Sequence, residues 1–105
     1  MITMIAQMRV LPENAAAYEE ILDYVMAQSR EKEPGVIYYA WAKSADDPDL
    51  YLVVEVYEDE KAQAAHMQTD WVRSSLPKTQ GLIDGKLDIK QFVTPGQEPI
   101  KLQYG

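Results

Sequence analysis

Val53-Val54-Glu55-Val56-Tyr57-Glu58-Asp59-Glu60, followed five residues on by Ala65-His66, decides the fold. Leu50 to Tyr57 is rich in β-branched and aromatic residues and reads as a strand. Asp59 has the side chain to cap a helix, and that helix carries the single histidine of the chain. A strand end and the helix after it direct side chains into one crevice, so this junction is the first place to look for a pocket. Glu58, Asp59 and Glu60 suit capping and the positive end of a helix dipole better than metal binding. With one His and no Cys, no metal site is expected.

Upstream, Asp46-Asp47-Pro48-Asp49 is a turn by composition. Val36 to Ala42 before it is a second β-rich run, so the two runs pair as an antiparallel hairpin. Glu33-Pro34-Gly35 stops a helix whose apolar stripe is Tyr18, Ile21, Leu22, Val25 and Met26. Asn14 is the expected cap of that helix. Pro12 closes a first strand in which Ile2, Met4, Ala6, Met8 and Val10 share one face, opposite Thr3, Gln7 and Arg9. Downstream, the second helix is expected to run to about Gln68 and to be interrupted at Thr69-Asp70. Pro77 and Gly81 predict an irregular segment there. A fourth strand alternates from Lys86 to Thr94, and Pro95-Gly96 ends it. Residues 1–96 then form one domain and 97–105, with the Ile100-Lys101-Leu102 run, a C-terminal tail.

The order β-α-β-β-α-β predicts an α+β, ferredoxin-like unit: a four-stranded antiparallel sheet with its helices on one face. Leu52, Val54 and Val56 are apolar on one side of the third strand, and Tyr51, Val53 and Tyr57 on the other. Two helices cover one sheet face only, so the other is expected to pack on a second subunit. The chain has 105 residues and a formal charge of −7. That charge repels phosphate backbones and anionic lipid, so no nucleic-acid or membrane role is expected. Zero Cys excludes a disulfide framework and thiol catalysis and fits the cytoplasm. Residues 1–10 lack a basic start and a long apolar run, and nothing approaches the ~20 apolar residues of a membrane helix.

Four segments, in order, carry a family resemblance: Arg9-Val10-Leu11-Pro12, Glu33-Pro34-Gly35, Asp46-Asp47-Pro48, and Val54-Glu55-Val56-Tyr57-Glu58-Asp59 followed by Ala65-His66. Over roughly residues 2–95 the chain resembles the antibiotic biosynthesis monooxygenase (ABM) family of the dimeric α/β-barrel superfamily, quinol monooxygenases in particular. The resemblance implies a homodimer whose two sheets close into a barrel. It also implies oxygenation of a small phenolic or quinol substrate by O2 without flavin, haem or metal, so no cofactor is expected. Two positions depart from the family pattern: Tyr57 stands where Trp is common, and Trp71 where many members have a second His. The haem-degrading branch matches poorly, because residues 3–9 contain no asparagine.

The candidate catalytic residues are His66, Tyr57 and Glu55. A neutral imidazole can take a proton from a phenol-like hydroxyl; the other reading of His66 is structural, bonded to a backbone carbonyl or to Glu55. Glu55 interrupts an apolar strand, so it either orients His66 or binds substrate, or it forms a salt bridge with Arg9, Arg73 or a second subunit. Tyr57 either hydrogen-bonds a substrate oxygen or is a core tyrosine. Trp41, Trp71 and Tyr39 are the candidate walls for an aromatic substrate, or simply core. The leading function is a cofactor-independent monooxygenase acting on a small aromatic or quinol-type metabolite. The alternatives are a non-enzymatic dimeric barrel binding a small apolar ligand, and a cofactor-free isomerase or signal-metabolite processor on the same scaffold.

Overall fold

In a computed structural model of the chain, described over residues 1–101, the elements are β1 (Ile2–Arg9), α1 (Pro12–Lys32), β2 (Val36–Lys43), β3 (Leu50–Tyr57), α2 (Glu60–Gln68), α3 (Asp70–Gln80) and β4 (Asp84–Val93). The strands form one antiparallel sheet in the order β2-β3-β1-β4. This is the ferredoxin-like α+β arrangement that the sequence predicts. Ala6 and Met8 of β1 and Tyr51 and Val53 of β3 meet Tyr18, Leu22 and Val25 of α1 and Val72 of α3 in one core. Ile2, Met4 and Tyr57 form a second cluster, against which Ile100 packs. Gln91 holds Ile100 there: its side-chain amide donates to the Ile100 carbonyl and accepts from the Ile100 N–H. Residues 102–105, the end of the anticipated tail, lie outside the described residues. Among the described residues no helix is long and apolar enough to cross a membrane.

Three expectations need correction. α1 begins at Pro12, not after an Asn14 cap; Leu11 takes the N-cap position without a side-chain bond. Proline at the first helical position is pre-organised for the helix and lacks only a donor that would be unpaired anyway. The segment after Asp70 is helix, not irregular chain, and Pro77 lies inside it. Pro77 and Arg73, the residue one turn before it whose carbonyl it deprives of a donor, are both exposed, so water can take the freed carbonyl. Thr69 is the joint between α2 and α3: its N–H and hydroxyl bond the His66 carbonyl, and its hydroxyl oxygen accepts from the Val72 N–H. β4 starts at Asp84 rather than Lys86. There the β1–β4 register shifts, and Gly85 takes a φ of 85° that favours glycine.

The helix side of the sheet is buried, as expected. On the opposite side, Tyr38 and Phe92 are 52% and 55% exposed, and Ile5, Leu52, Val54 and Val56 are half-buried.

Gly35 explains why Glu33-Pro34-Gly35 ends where it does. A Cβ at this position would stand 2.5 Å from the Ala62 Cβ of α2. The Gly35 carbonyl also accepts from the Glu58 N–H at 2.9 Å, tying the start of β2 to the approach of α2. Gly35→Ala is therefore expected to destabilise the fold by about 1–3 kcal/mol, the usual cost of overpacking. Adding Ala62→Gly should return part of that loss, less about 1 kcal/mol for glycine in a helix. Denaturant midpoints of the two single variants and the double variant decide this; strictly additive losses would mean that the two positions do not clash.

Candidate functional site

Between the helix side of the sheet and α1 and α3 lies a cavity of about 120 Å³. Its walls are apolar for most of their extent, with Met4, Leu22, Val25, Leu76 and Ile89 among them. Its polar groups include Glu55, His66, Tyr39 and Tyr18. Three of the six residues anticipated from the sequence thus line one cavity: His66, Glu55 and Tyr39. Tyr57 stands behind it, fully buried, with its hydroxyl donating to Glu55 Oε1. Trp41 and Trp71 are not among the lining residues. The Trp41 indole N–H donates to Asp23 Oδ1 at 2.8 Å, and its ring lies 6.0 Å from that of Tyr51.

His66 is held from every side. α2 brings it in at its last turn, and Thr69 secures that turn through the His66 carbonyl. The imidazole is 3% exposed and sits between Tyr39 and Tyr57, each ring centroid 5.4 Å away. Nδ1 lies 2.9 and 3.1 Å from the two carboxylate oxygens of Glu33. Nε2 lies 3.5 Å from Glu55 Oε1. A carboxylate accepts, so the Glu33 contact puts a ring proton on Nδ1 and leaves the Nε2 lone pair of the neutral ring toward Glu55.

Glu33 is the residue that the sequence reading missed as a site member. It is the C-cap of α1, and its Oε2 also accepts from the Trp71 indole N–H at 2.8 Å. Lys32 stacks its ammonium 5.5 Å from the centroid of the same indole. Trp71 thus reaches the site through Glu33. One signal was available: a carboxylate at the negative end of a helix dipole is unfavourable and has to be compensated by donors. Here an indole and an imidazole supply them. Nor does Glu55 pair with an arginine. Arg9 binds Asp47 in the β2–β3 turn, near the far end of β1 from Glu55's partner Met4.

Burial pushes the Glu55 carboxyl above its ordinary range, and the charge of Glu33 adds to this; His66 and the Tyr57 hydrogen bond oppose it. The net rise means that ionising Glu55 costs more in the fold than in the unfolded chain. Its contribution to stability is fully present below the unfolded carboxyl pKa of about 4.3 and is lost as pH climbs through the raised folded value. Glu55→Gln keeps an acceptor for Tyr57 and cannot ionise. The variant is expected to gain on the wild type as pH rises from 4 to 8 in paired thermal melts. A wild type that gains on the variant over that range would show a carboxylate stabilised as an anion.

Glu33 and Glu55 meet opposite nitrogens of one ring and do not converge on a point. Among the described residues no cluster of three or more His, Asp or Glu side chains is placed to hold a metal. What the arrangement does provide is a line of proton donors and acceptors, Trp71–Glu33–His66–Glu55–Tyr57, that meets the end of an apolar cavity.

An α+β ferredoxin-like domain with a half-open apolar cavity and an imidazole–carboxylate pair on its wall has the geometry to receive a small molecule. The antibiotic biosynthesis monooxygenase family model matches residues 1–75, and the chain belongs to that family. No curated protein matches it. A Caulobacter crescentus structure described as a "putative antibiotic biosynthesis monooxygenase" is 25% identical, with TM-score 0.82 over 87% of this chain and 86% of that one. A Nitrosomonas europaea protein described in the same words is 23% identical, with TM-score 0.83 over 90% and 99%. A conserved protein from Methanosarcina mazei is 21% identical, with TM-score 0.80 over 87% and 89%. The latter two show the fold alone.

Proposed function

We propose that the protein is a monooxygenase that oxidises a small quinol or phenol with O2, using His66 as the base and Glu55 as its proton partner. The observation that carries this reading is the pair itself: an imidazole and a carboxylate 3.5 Å apart on the wall of an apolar cavity. His66 Nε2 takes the proton of the substrate hydroxyl, and the electron-rich phenolate then gives electrons to O2. Glu33 and Trp71 fix the tautomer and the plane of the ring. Tyr57 holds Glu55, and Tyr39 packs on the imidazole. The stoichiometry closes without an outside reductant or cofactor. A quinol gives up four electrons in becoming a hydroxyquinone; one oxygen atom enters the ring and the other leaves as water.

A homodimer joined through the open face of the sheet belongs to this reading. Exposed Tyr38 and Phe92 and the half-buried aliphatics between them support it. Light scattering should report twice the 12.0 kDa chain mass, and a stable monomer at micromolar concentration would count against the barrel. A cytoplasmic location agrees with the absence of cysteine. The functional test is O2 uptake on mixing with a panel of quinols, with product mass read in ¹⁸O2. Uptake with one labelled atom in the product is expected. Quinol binding without uptake would favour the ligand-binding barrel instead.

A further inference from the structure

Tyr18 has a hydroxyl that the fold does not use. It lies on α1, 2% exposed, lines the same cavity as Glu55 and His66, and packs its ring edge-on to Tyr51 at 5.4 Å. Among the described residues its hydroxyl makes no hydrogen bond, and its oxygen is not sealed from solvent as the Ser29 hydroxyl is, so it keeps access to the cavity. Buried tyrosines ordinarily find a partner, because a hydroxyl taken from water without one costs free energy. The neighbouring tyrosines follow that rule: Tyr51 donates to Glu19, and Tyr57 to Glu55. Tyr18 is the one whose polar end is left to whatever fills the cavity.

We propose that Tyr18 is the second anchor of the substrate, donating a hydrogen bond to an acceptor oxygen on a single-ring phenol whose ionisable hydroxyl lies against His66 and Glu55. The inference rests on the phenol-oxidising reading for its first contact. The ring count follows from volume: an apolar cavity of about 150 Å³ takes one benzene ring, and this one is about 120 Å³. A fused two-ring system overfills this volume and would have to extend toward the open side of the pocket. The direction of the bond follows from the environment. Burial, then the charges of Tyr51 and Glu55, push the Tyr18 hydroxyl well above the usual tyrosine range, so it keeps its proton and can donate it to an acceptor oxygen. The substrate class is thus a monocyclic phenol with a second oxygen on the ring, such as a hydroxyl, ether or carbonyl.

The test measures binding by calorimetry without oxygen, so it is independent of turnover. The probes are 4-methoxyphenol and 4-ethylphenol, nearly equal in shape and differing in one acceptor atom. Wild type is expected to prefer 4-methoxyphenol by about tenfold, the worth of one ordinary hydrogen bond. Tyr18→Phe should abolish that preference and leave 4-ethylphenol affinity within about twofold, with no loss of melting temperature, since no internal bond is removed. Equal affinity of wild type for the two probes overturns the anchor even if the variant fails to fold. A preference that survives Tyr18→Phe overturns it as well. 6-Methoxy-2-naphthol should bind at least about tenfold more weakly than 4-methoxyphenol; equal or tighter binding overturns the single-ring limit. If the preference is present and O2 uptake absent, the anchor stands and the oxidation reading fails.

Discussion

His66→Ala is expected to lower quinol turnover by about 10²–10⁴-fold, the range that general-base assistance typically contributes. That corresponds to about 2.7–5.5 kcal/mol of barrier. The loss should fall on kcat more than on KM, because the apolar walls that bind the ring are untouched. It will not come free of a stability change. The imidazole lies 2.9 Å from one carboxylate and 3.5 Å from another, and its removal leaves both facing an empty space. Turnover must therefore be measured below the variant's own melting temperature, with near-UV circular dichroism to verify packing. A folded His66→Ala protein with full turnover on a confirmed substrate would remove His66 from the mechanism. The cavity would then merely position a substrate that ionises unaided.

Leu22→Ala is the second large effect, about 2–5 kcal/mol from lost transfer energy and added void. Leu22 is buried on α1 and lines the cavity. Glu20, two residues earlier and exposed, should cost no more than about 0.5 kcal/mol as alanine. Urea titrations of the two variants separate these cases, and equal losses would mean that α1 is rotated from the orientation described. Leu22→Ala also adds space beside the substrate ring, so the surviving folded protein should accept two-ring phenols better than the wild type does.

The sheet was legible because period-two alternation and turn chemistry are local. Ile2 to Val10, the Asp46–Asp49 turn and the 86–94 alternation each announce themselves within ten residues. α3 was hidden because Pro77 reads as a breaker; whether a proline breaks a helix depends on where the freed carbonyl points, and that is a tertiary fact. At the site, Glu55 stood out as a charge in an apolar strand and His66 as the lone imidazole. Glu33 did not, because its two donors come from 33 and 38 residues away in sequence. Trp41 and Trp71 were candidates on ring type alone. A strand or helix fixes which way a ring points only once its neighbours are known.

The cavity divides unevenly along the chain. Its proton-handling end, Glu33, Glu55, Tyr57 and His66, falls within residues 1–75, the part that the family model matches. Five of its lining residues, Leu76, Thr79, Ile83, Leu87 and Ile89, fall after it. Part of the wall thus comes from a stretch that carries none of the titratable groups of the site, although most of the lining shares the first stretch with them. Variation confined to the second stretch can reshape that part of the wall and leave Glu33, Glu55, Tyr57 and His66 in place.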